Sequence, residues 1–156
     1  MEKRSNQFIQ CIMDWHKLKD KHIHNDPVPH IHVINLIEEK EYDKLYENQN
    51  DLDHQLWQEF DEKYKIGFEF KEDISEIDLK RDIIAIWCFR ERNDRTRPPH
   101  IILGGKKIAY YPNAIIITSS NDIIIDDSKV KKYIRRPFIQ LDINKKKFNE
   151  LMASKK

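Results

Sequence analysis

The fold is decided at Lys65-Ile66-Gly67-Phe68-Glu69-Phe70-Lys71, where the spacing of the apolar residues changes. Ile66, Phe68 and Phe70 alternate with other residues, and a period of two is typical of a strand with one buried face. Before this stretch apolar residues recur every three or four positions, as on one side of a helix. The sequence therefore predicts helices before residue 65 and a sheet after it.

Three helices are predicted upstream of this change. The first runs from Arg4 to about Lys19, and a loop with two prolines separates it from the second, which ends near Asn48. The start of the second helix is open, because Ile31-His32-Val33-Ile34 fits a short strand equally well. The third helix begins at an N-cap, Asn50 or Asp51.

Downstream, β-rich runs are separated by turn signals. The predicted strands are Asp82 to Arg92, His100 to Leu103, Lys106 to Tyr111, Ala114 to Thr118, Ile123 to Ile125 and a strand within Tyr133 to Ile143. Gly104-Gly105 supplies the positive φ angles of a tight hairpin turn. Pro137 predicts that the last strand lies at a sheet edge or carries a bulge. A short helix from Asn144 to Met152 closes the chain.

These elements predict a single α+β domain of 156 residues: three N-terminal helices packed on a five- or six-stranded, mostly antiparallel sheet, with a short C-terminal helix. Its parts are an acidic helical part (1–64), a basic β part (65–143), and a closing helix and tail (144–156). Residues 1–64 carry 8 Lys and Arg against 14 Asp and Glu, whereas residues 65–156 carry 20 against 13. We expect the two parts either to attract each other or to leave the basic part facing a polyanion.

The sequence indicates an intracellular, cytoplasmic protein that does not insert into membranes. Its apolar runs are far shorter than the roughly 18 to 20 residues that span a bilayer, and the N-terminus lacks a signal-peptide core. Cys11 and Cys88 have no metal-type spacing and are interpreted as reduced, buried residues. The abundance of Ile, Lys, Asn and Asp, with only three glycines, points to an A+T-rich viral or microbial source.

Basic residues of the β part form the broadest functional signal. The predicted nucleic-acid-binding residues are Arg90, Arg92, Arg95, Arg97, Lys106, Lys107, Tyr110, Arg135 and Arg136. Aligned on neighbouring strands, these cations would contact phosphates, and the tyrosine would stack on an unpaired base. The alternative is that the arginines pair with the acidic helices.

Histidines are concentrated in the proline-containing loop. His16 precedes it, and the candidate metal ligands within it are His22, His24, Asp26, His30 and His32. Imidazole is the commonest zinc ligand, and alternate residues of an extended segment lie on the same side. The spacing matches no standard zinc finger, so the alternative is a solvated loop.

One part of this run resembles a known family. His24-Asn25-Asp26 has the His-x-Asp form of Fe(II)/2-oxoglutarate oxygenases, and the segment from Pro112-Asn113 through Arg135-Arg136-Pro137-Phe138 resembles the closing strands of their double-stranded β-helix. That family would place a second iron-binding histidine shortly before the arginine that binds oxoglutarate. No histidine follows His100, so the resemblance implies a degenerate member.

The strand at residues 65–71 suggests a second kind of site. Glu69 and Lys71 lie on the same strand face, as in metal-dependent nucleases, where a carboxylate and an ammonium hold a divalent ion and the attacking water. The third group would be Asp61, Asp53 or Asp51, which fall on a predicted helix. The alternative is a solvent-facing ion pair.

Three classes of function follow. The first is a non-enzymatic binding protein, an accessory or regulatory factor that contacts nucleic acid and needs no cofactor. The second is a metal-dependent enzyme that uses a divalent ion at Glu69 and Lys71 or at the histidines. The third is a structural or assembly protein whose oppositely charged halves bind a protein partner or a second copy. Ser119-Ser120 is interpreted as an ordinary turn.

Overall fold

The computed structural model describes residues 20–49, 55, 57–59, 67–71, 76–91, 100–109, 111–126 and 137–153. Its strands are β1 (Ile23–His24), β2 (His30–Val33), β3 (Gly67–Lys71), β4 (Ile83–Cys88), β5 (His100–Leu103), β6 (Lys106–Ala109), β7 (Ile115–Ser119), β8 (Ile123–Asp126) and β9 (Phe138–Asp142). Its α-helices are α1 (Glu39–Glu47) and α2 (Lys145–Ala153), and short 3₁₀ turns occupy Asp20–His22 and Ser120–Asp122. Residues 55 and 57–59 are also helical.

The strands form two antiparallel sheets. The larger has the order β1-β2-β7-β4-β9-β3, and the smaller has the order β6-β5-β8. From β4 onward the chain passes from one sheet to the other at every connection except the β5–β6 hairpin. Such an exchange of successive strands between two facing sheets is typical of jelly-roll sandwiches.

Both faces of the larger sheet are buried. All six residues of β4 are buried, and because side chains alternate along a strand, they feed two separate cores. Ile84, Ile86 and Cys88 pack against residues of the smaller sheet, such as Ile101 and Leu103. The alternate residues of β4 belong to the outer core, which also contains residues of α1 and α2. The fold is therefore a sheet sandwich with helices on its outer face.

The outer core is rich in aromatic rings that hold the helices in place. Tyr42 of α1 is fully buried, and its hydroxyl donates to the carbonyl oxygens of Cys88, at 3.2 Å, and Arg90. Burial raises the pKa of the Tyr42 hydroxyl well above its ordinary value, so it remains a donor. Trp57 donates from Nε1 to the Asn48 carbonyl at 2.9 Å, which ties the following helical segment to the end of α1.

The hairpin prediction is confirmed. β5 pairs with β6 across Gly104 and Gly105, whose φ angles of 54° and 87° are both positive, as a type I′ turn requires. A Cβ atom on Gly104 would lie 2.8 Å from a methyl of Val28, so this glycine also lets the loop after β1 pack on the turn. Strands near residues 65–71, 82–92, 114–118 and 123–125, and the closing helix, are likewise present.

The prediction of three N-terminal helices fits only in part. α1 and the helical residues 55 and 57–59 fall within the second and third predicted helices, but β1 and β2 join the larger sheet. Ile31 and Val33 alternate on β2 and enter the outer core, and β2 pairs with β7 along its whole length. The strand alternative for this stretch is therefore correct, since β2 spans His30–Val33 and the helix begins only at Glu39. The helix predicted at residues 4–19 lies outside the described residues, and the third predicted helix is described only at residues 55 and 57–59.

Two further predictions about the sheet need correction. β9 lies between β4 and β3 and is an interior strand, although Pro137 predicted an edge or a bulge. Pro137 precedes Phe138, the first paired residue, so its missing N–H removes no ladder bond, and its carbonyl accepts from Phe89 N at 3.2 Å. β5, β6 and β8 form a separate sheet because their apolar residues cover the inner face of the larger one.

In the part of the chain that the structure describes, no helix is long and apolar enough to cross a membrane. The two α-helices have nine residues each.

Candidate functional site

A cleft of about 450 Å³ lies at the end of the larger sheet where β4 begins and β7 ends. Its apolar floor consists of Ile83, Phe148 and Met152, and the exposed Pro29 adds an apolar side chain to the lining. Its polar rim consists of Asn25, Asp82, Ser119, Ser120, Asn121, Asp122, Lys145 and Asn149. We call these twelve residues the end cleft. Its volume falls in the range of about 300 to 1,000 Å³ that small-molecule sites occupy.

Backbone hydrogen bonds fix one wall of the end cleft. The Ser119 side chain accepts from Asn121 N at 3.4 Å and so caps the 3₁₀ turn that follows β7. Ser120 N donates to the Asp82 carbonyl at 2.9 Å, which ties this turn to the start of β4. The turn is therefore held by the sheet, and its side chains are left for the cleft.

Helix α2 forms the opposite wall. Asn144 Oδ1 accepts from Lys147 N at 2.8 Å, which caps the first turn of the helix directly after β9. Phe148 and Leu151 bury the inner side of α2 in the outer core. Lys145 and Asn149 consequently lie at the rim while Phe148 forms the floor.

The polar side chains of the rim are largely uncommitted. Within the described part of the chain, Asn25, Asp82, Asn121, Lys145 and Asn149 make no side-chain hydrogen bond or ion pair. A few polar groups around an apolar floor are what a small-molecule site uses to orient its ligand. The rim is therefore able to exchange its solvent hydrogen bonds for bonds to a ligand.

Three of the predicted metal-binding histidines share one face of the β1–β2 pair. His24 pairs with His30 across the strands, and His32 lies two residues further along β2 on the same sheet face. Ile31 lies on the other face, toward the outer core. The His24 and His30 rings stack with centroids 4.8 Å apart and planes 16° apart. His30 Nδ1 donates to the Val28 carbonyl at 2.8 Å.

The stacking of His24 and His30 does not favour a metal ion shared by these two rings. The lone pair of an imidazole nitrogen lies in the ring plane, so two stacked rings do not direct their nitrogens at a common ion. Asp26 is exposed in the loop. Among the residues that the structure describes, no three His, Cys, Asp or Glu side chains are arranged to hold a metal ion. His16 lies outside those residues. A metal at the histidines stays a prediction.

His32 is the most perturbed of these side chains. Its buried Nε2 has no hydrogen-bond partner in the described part of the chain. Burial, followed by the nearby His30, His24 and His22, lowers its pKa from 6.5 to about 4. His32 is therefore neutral at pH 7.

We expect this burial to make the protein less stable in mild acid. The unfolded chain takes up a proton at His32 near pH 6.5 and the folded chain only near pH 4, so stability present above pH 6.5 is lost as the pH falls between these values. Urea unfolding across this interval should show a smaller loss for His32→Leu than for the wild type. Ile34→Leu, a control at a 58% exposed side chain without a titratable group, should keep the wild-type loss, and equal losses in all three proteins would contradict the expectation.

Glu69 and Lys71 lie together, as predicted, but within an ion-pair network. The Lys71 ammonium contacts the Glu69 carboxylate, and Arg81 Nη2 lies 3.4 Å from Glu69 Oε2. Arg81 Nε also lies 3.2 Å from Asp78. The Lys80 backbone N–H, followed by Arg81, holds the pKa of Asp78 below its usual range. The Glu69 carboxylate is thus engaged by two cations, and Asp51, Asp53 and Asp61 lie outside the described residues.

Only part of the predicted basic stripe is described. Arg90 is 2% exposed, so its side chain does not belong to a surface stripe; it directly follows Phe89 of the outer core, and its carbonyl accepts from Tyr42. Lys106 and Lys107 are exposed beside the hairpin turn. Arg92, Arg95, Arg97, Tyr110, Arg135 and Arg136 lie outside the described residues. Nucleic-acid contact stays a prediction for these residues and for the exposed Lys106 and Lys107.

The His-x-Asp residues of the oxygenase resemblance lie at one edge of the larger sheet, and His24 is on the same sheet face as Ile116, which faces the smaller sheet. His24-Asn25-Asp26 starts on β1, the outermost strand of the larger sheet. The space between the sheets is filled by apolar side chains such as Ile86, Ile116 and Phe138. An iron site at these residues stays a prediction.

With this geometry established, comparison with known proteins adds no assignment. No family model, no curated protein and no solved structure matches the chain. The function must be argued from the site itself.

Sequence reasoning missed the end cleft. Ser119-Ser120 was interpretable only as a turn, and Asp82, Lys145 and Asn149 carry no motif. The one available signal was the polar run Ser119-Ser120-Asn121-Asp122 between two apolar strands. That run predicts a turn but does not reveal which distant residues face it.

Proposed function

We propose that this protein is a non-enzymatic binding protein and that its ligand is a small molecule held in the end cleft. The observation that carries the proposal is the cleft itself, which has a volume of about 450 Å³ and an apolar floor ringed by uncommitted polar side chains. The cleft lies where segments from β4, β7, α2 and the loop after β1 meet, so a ligand there contacts four parts of the chain.

Binding rather than catalysis is favoured by the chemistry of the rim. General acid–base or nucleophilic catalysis uses a reactive group activated by a hydrogen-bonded neighbour. Ser119 instead accepts a capping bond from a backbone N–H, and Asp82 and Lys145 make no bond to another described side chain. Amides, hydroxyls and carboxylates of this kind orient a ligand.

We expect at least one of three chemically different probes to bind in the cleft. The probes are maltose, ATP and spermidine, and the measurement is the shift of backbone amide resonances during titration. Saturable shifts should be confined to the residues of the end cleft and their immediate chain neighbours, because these residues line the space that the ligand occupies. Residues of α1 should not shift.

A bulky substitution provides the matched control. Ser120→Trp fills the cleft and should abolish these shifts, whereas Leu79→Trp, at a side chain that is 51% exposed outside the cleft, should leave them unchanged. The absence of saturable shifts with all three probes, or their survival in Ser120→Trp, would overturn the proposed function.

A further inference from the structure

We propose that the ligand of the end cleft is a neutral, polyhydroxylated molecule of mono- or disaccharide size. This inference rests on the proposed function and specifies the ligand class. It follows from three properties of the described cleft: the hydrogen-bonding types of its rim, the balance of its charges and the character of its floor.

The rim offers both donors and acceptors at close intervals. Amide side chains at Asn25, Asn121 and Asn149 donate and accept, whereas the carboxylates of Asp82 and Asp122 only accept. A hydroxyl group donates one hydrogen bond and accepts others. Vicinal hydroxyls therefore satisfy amides and carboxylates together, which a ligand with acceptors alone does not do.

The charges of the rim disfavour an anion. Asp82 and Asp122 provide two negative charges against the single positive charge of Lys145. A phosphate or carboxylate would be repelled by two acceptor-only groups and attracted by one ammonium. A polyamine would meet Lys145 and would leave the donor groups of the three amides without acceptors. A neutral ligand avoids both conflicts.

The floor complements the remaining surface of such a ligand. Ile83 and Phe148 are only 3% and 6% exposed, and with Met152 they provide an apolar base. Sugar rings present C–H bonds on one side and hydroxyls around the edge, so the C–H side rests on the floor while the hydroxyls reach the rim. The volume of about 450 Å³ suits one or two rings.

The test compares the three probes by amide-shift titration of the full chain. We expect maltose to bind in a saturable manner and more tightly than ATP or spermidine. Asp82→Asn and Asn149→Ala, each at an exposed side chain without a described hydrogen bond, should weaken maltose binding about tenfold. Glu47→Gln, which removes a carboxylate outside the cleft, should leave the affinity within about twofold.

The outcomes separate this inference from the proposed function. Tighter binding of ATP or spermidine in the cleft overturns the ligand class and leaves the function in place. Maltose binding that neither rim variant weakens also overturns the class, because the rim would then not recognise the hydroxyls. Binding of none of the probes overturns both.

Discussion

Replacing Asn113 by alanine should lower the free energy of unfolding by about 3 to 7 kcal/mol. Asn113 is fully buried, and its side chain accepts from Trp87 Nε1 at 3.1 Å and donates to the Ile37 carbonyl at 2.8 Å. Alanine leaves both of these buried groups unsatisfied, at a cost of about 1 to 3 kcal/mol each. It also occupies a φ of 66°, which costs about 1 kcal/mol more.

Two variants separate these costs in urea denaturation. Asn113→Gly loses the same hydrogen bonds but tolerates the positive φ, so it should be about 1 kcal/mol more stable than Asn113→Ala. Asn35→Ala, at an exposed residue with a φ of 57°, carries the backbone cost alone and should lose about 1 kcal/mol. A loss at Asn113→Ala no larger than at Asn35→Ala would show that the buried amide contributes nothing.

Replacing Phe89 by alanine should cost about 4 kcal/mol. Phe89 is fully buried directly after β4, and its ring lies 5.4 to 5.9 Å from five other aromatic rings. These rings are Tyr42, Tyr46, Trp57, Phe70 and Trp87. Truncation therefore leaves a cavity at the centre of the cluster that holds α1 and the segment around Trp57 on the outer face.

The same urea measurement provides the control. Tyr111→Ala removes an aromatic ring that is 53% exposed and should change stability by no more than about 0.5 kcal/mol. Phe89→Leu fills part of the cavity and should lie between the two. The cluster would not be a packing unit if Phe89→Ala and Tyr111→Ala had similar effects.

Local patterns predicted the elements that depend on neighbouring residues. Gly104-Gly105 predicted a tight hairpin because few other residues accept two successive positive φ angles. The alternation around Phe68 and Phe70 predicted β3, whose pairing with β9 places Phe68 in the outer core. These signals lie within a few residues of one another, so no knowledge of the remaining chain is needed to interpret them.

Predictions that depended on sheet order were less successful. Pro137 predicted an edge, but β9 is an interior strand because the proline lies just before its first paired residue. Arg90 was predicted as part of a surface stripe and is 2% exposed. Neither result is visible in the spacing of apolar residues.

The sequence by itself determined the strand around Phe68 and Phe70 and the position of the hairpin turn. Only the tertiary structure decided that β1 and β2 extend the larger sheet, that the strands divide between two sheets, and that an end cleft exists. The physical reason is distance along the chain. The rim residues Asn25, Asp82, Asn121 and Asn149 belong to separate segments, and the order of the strands alone brings them to the same end of the sandwich.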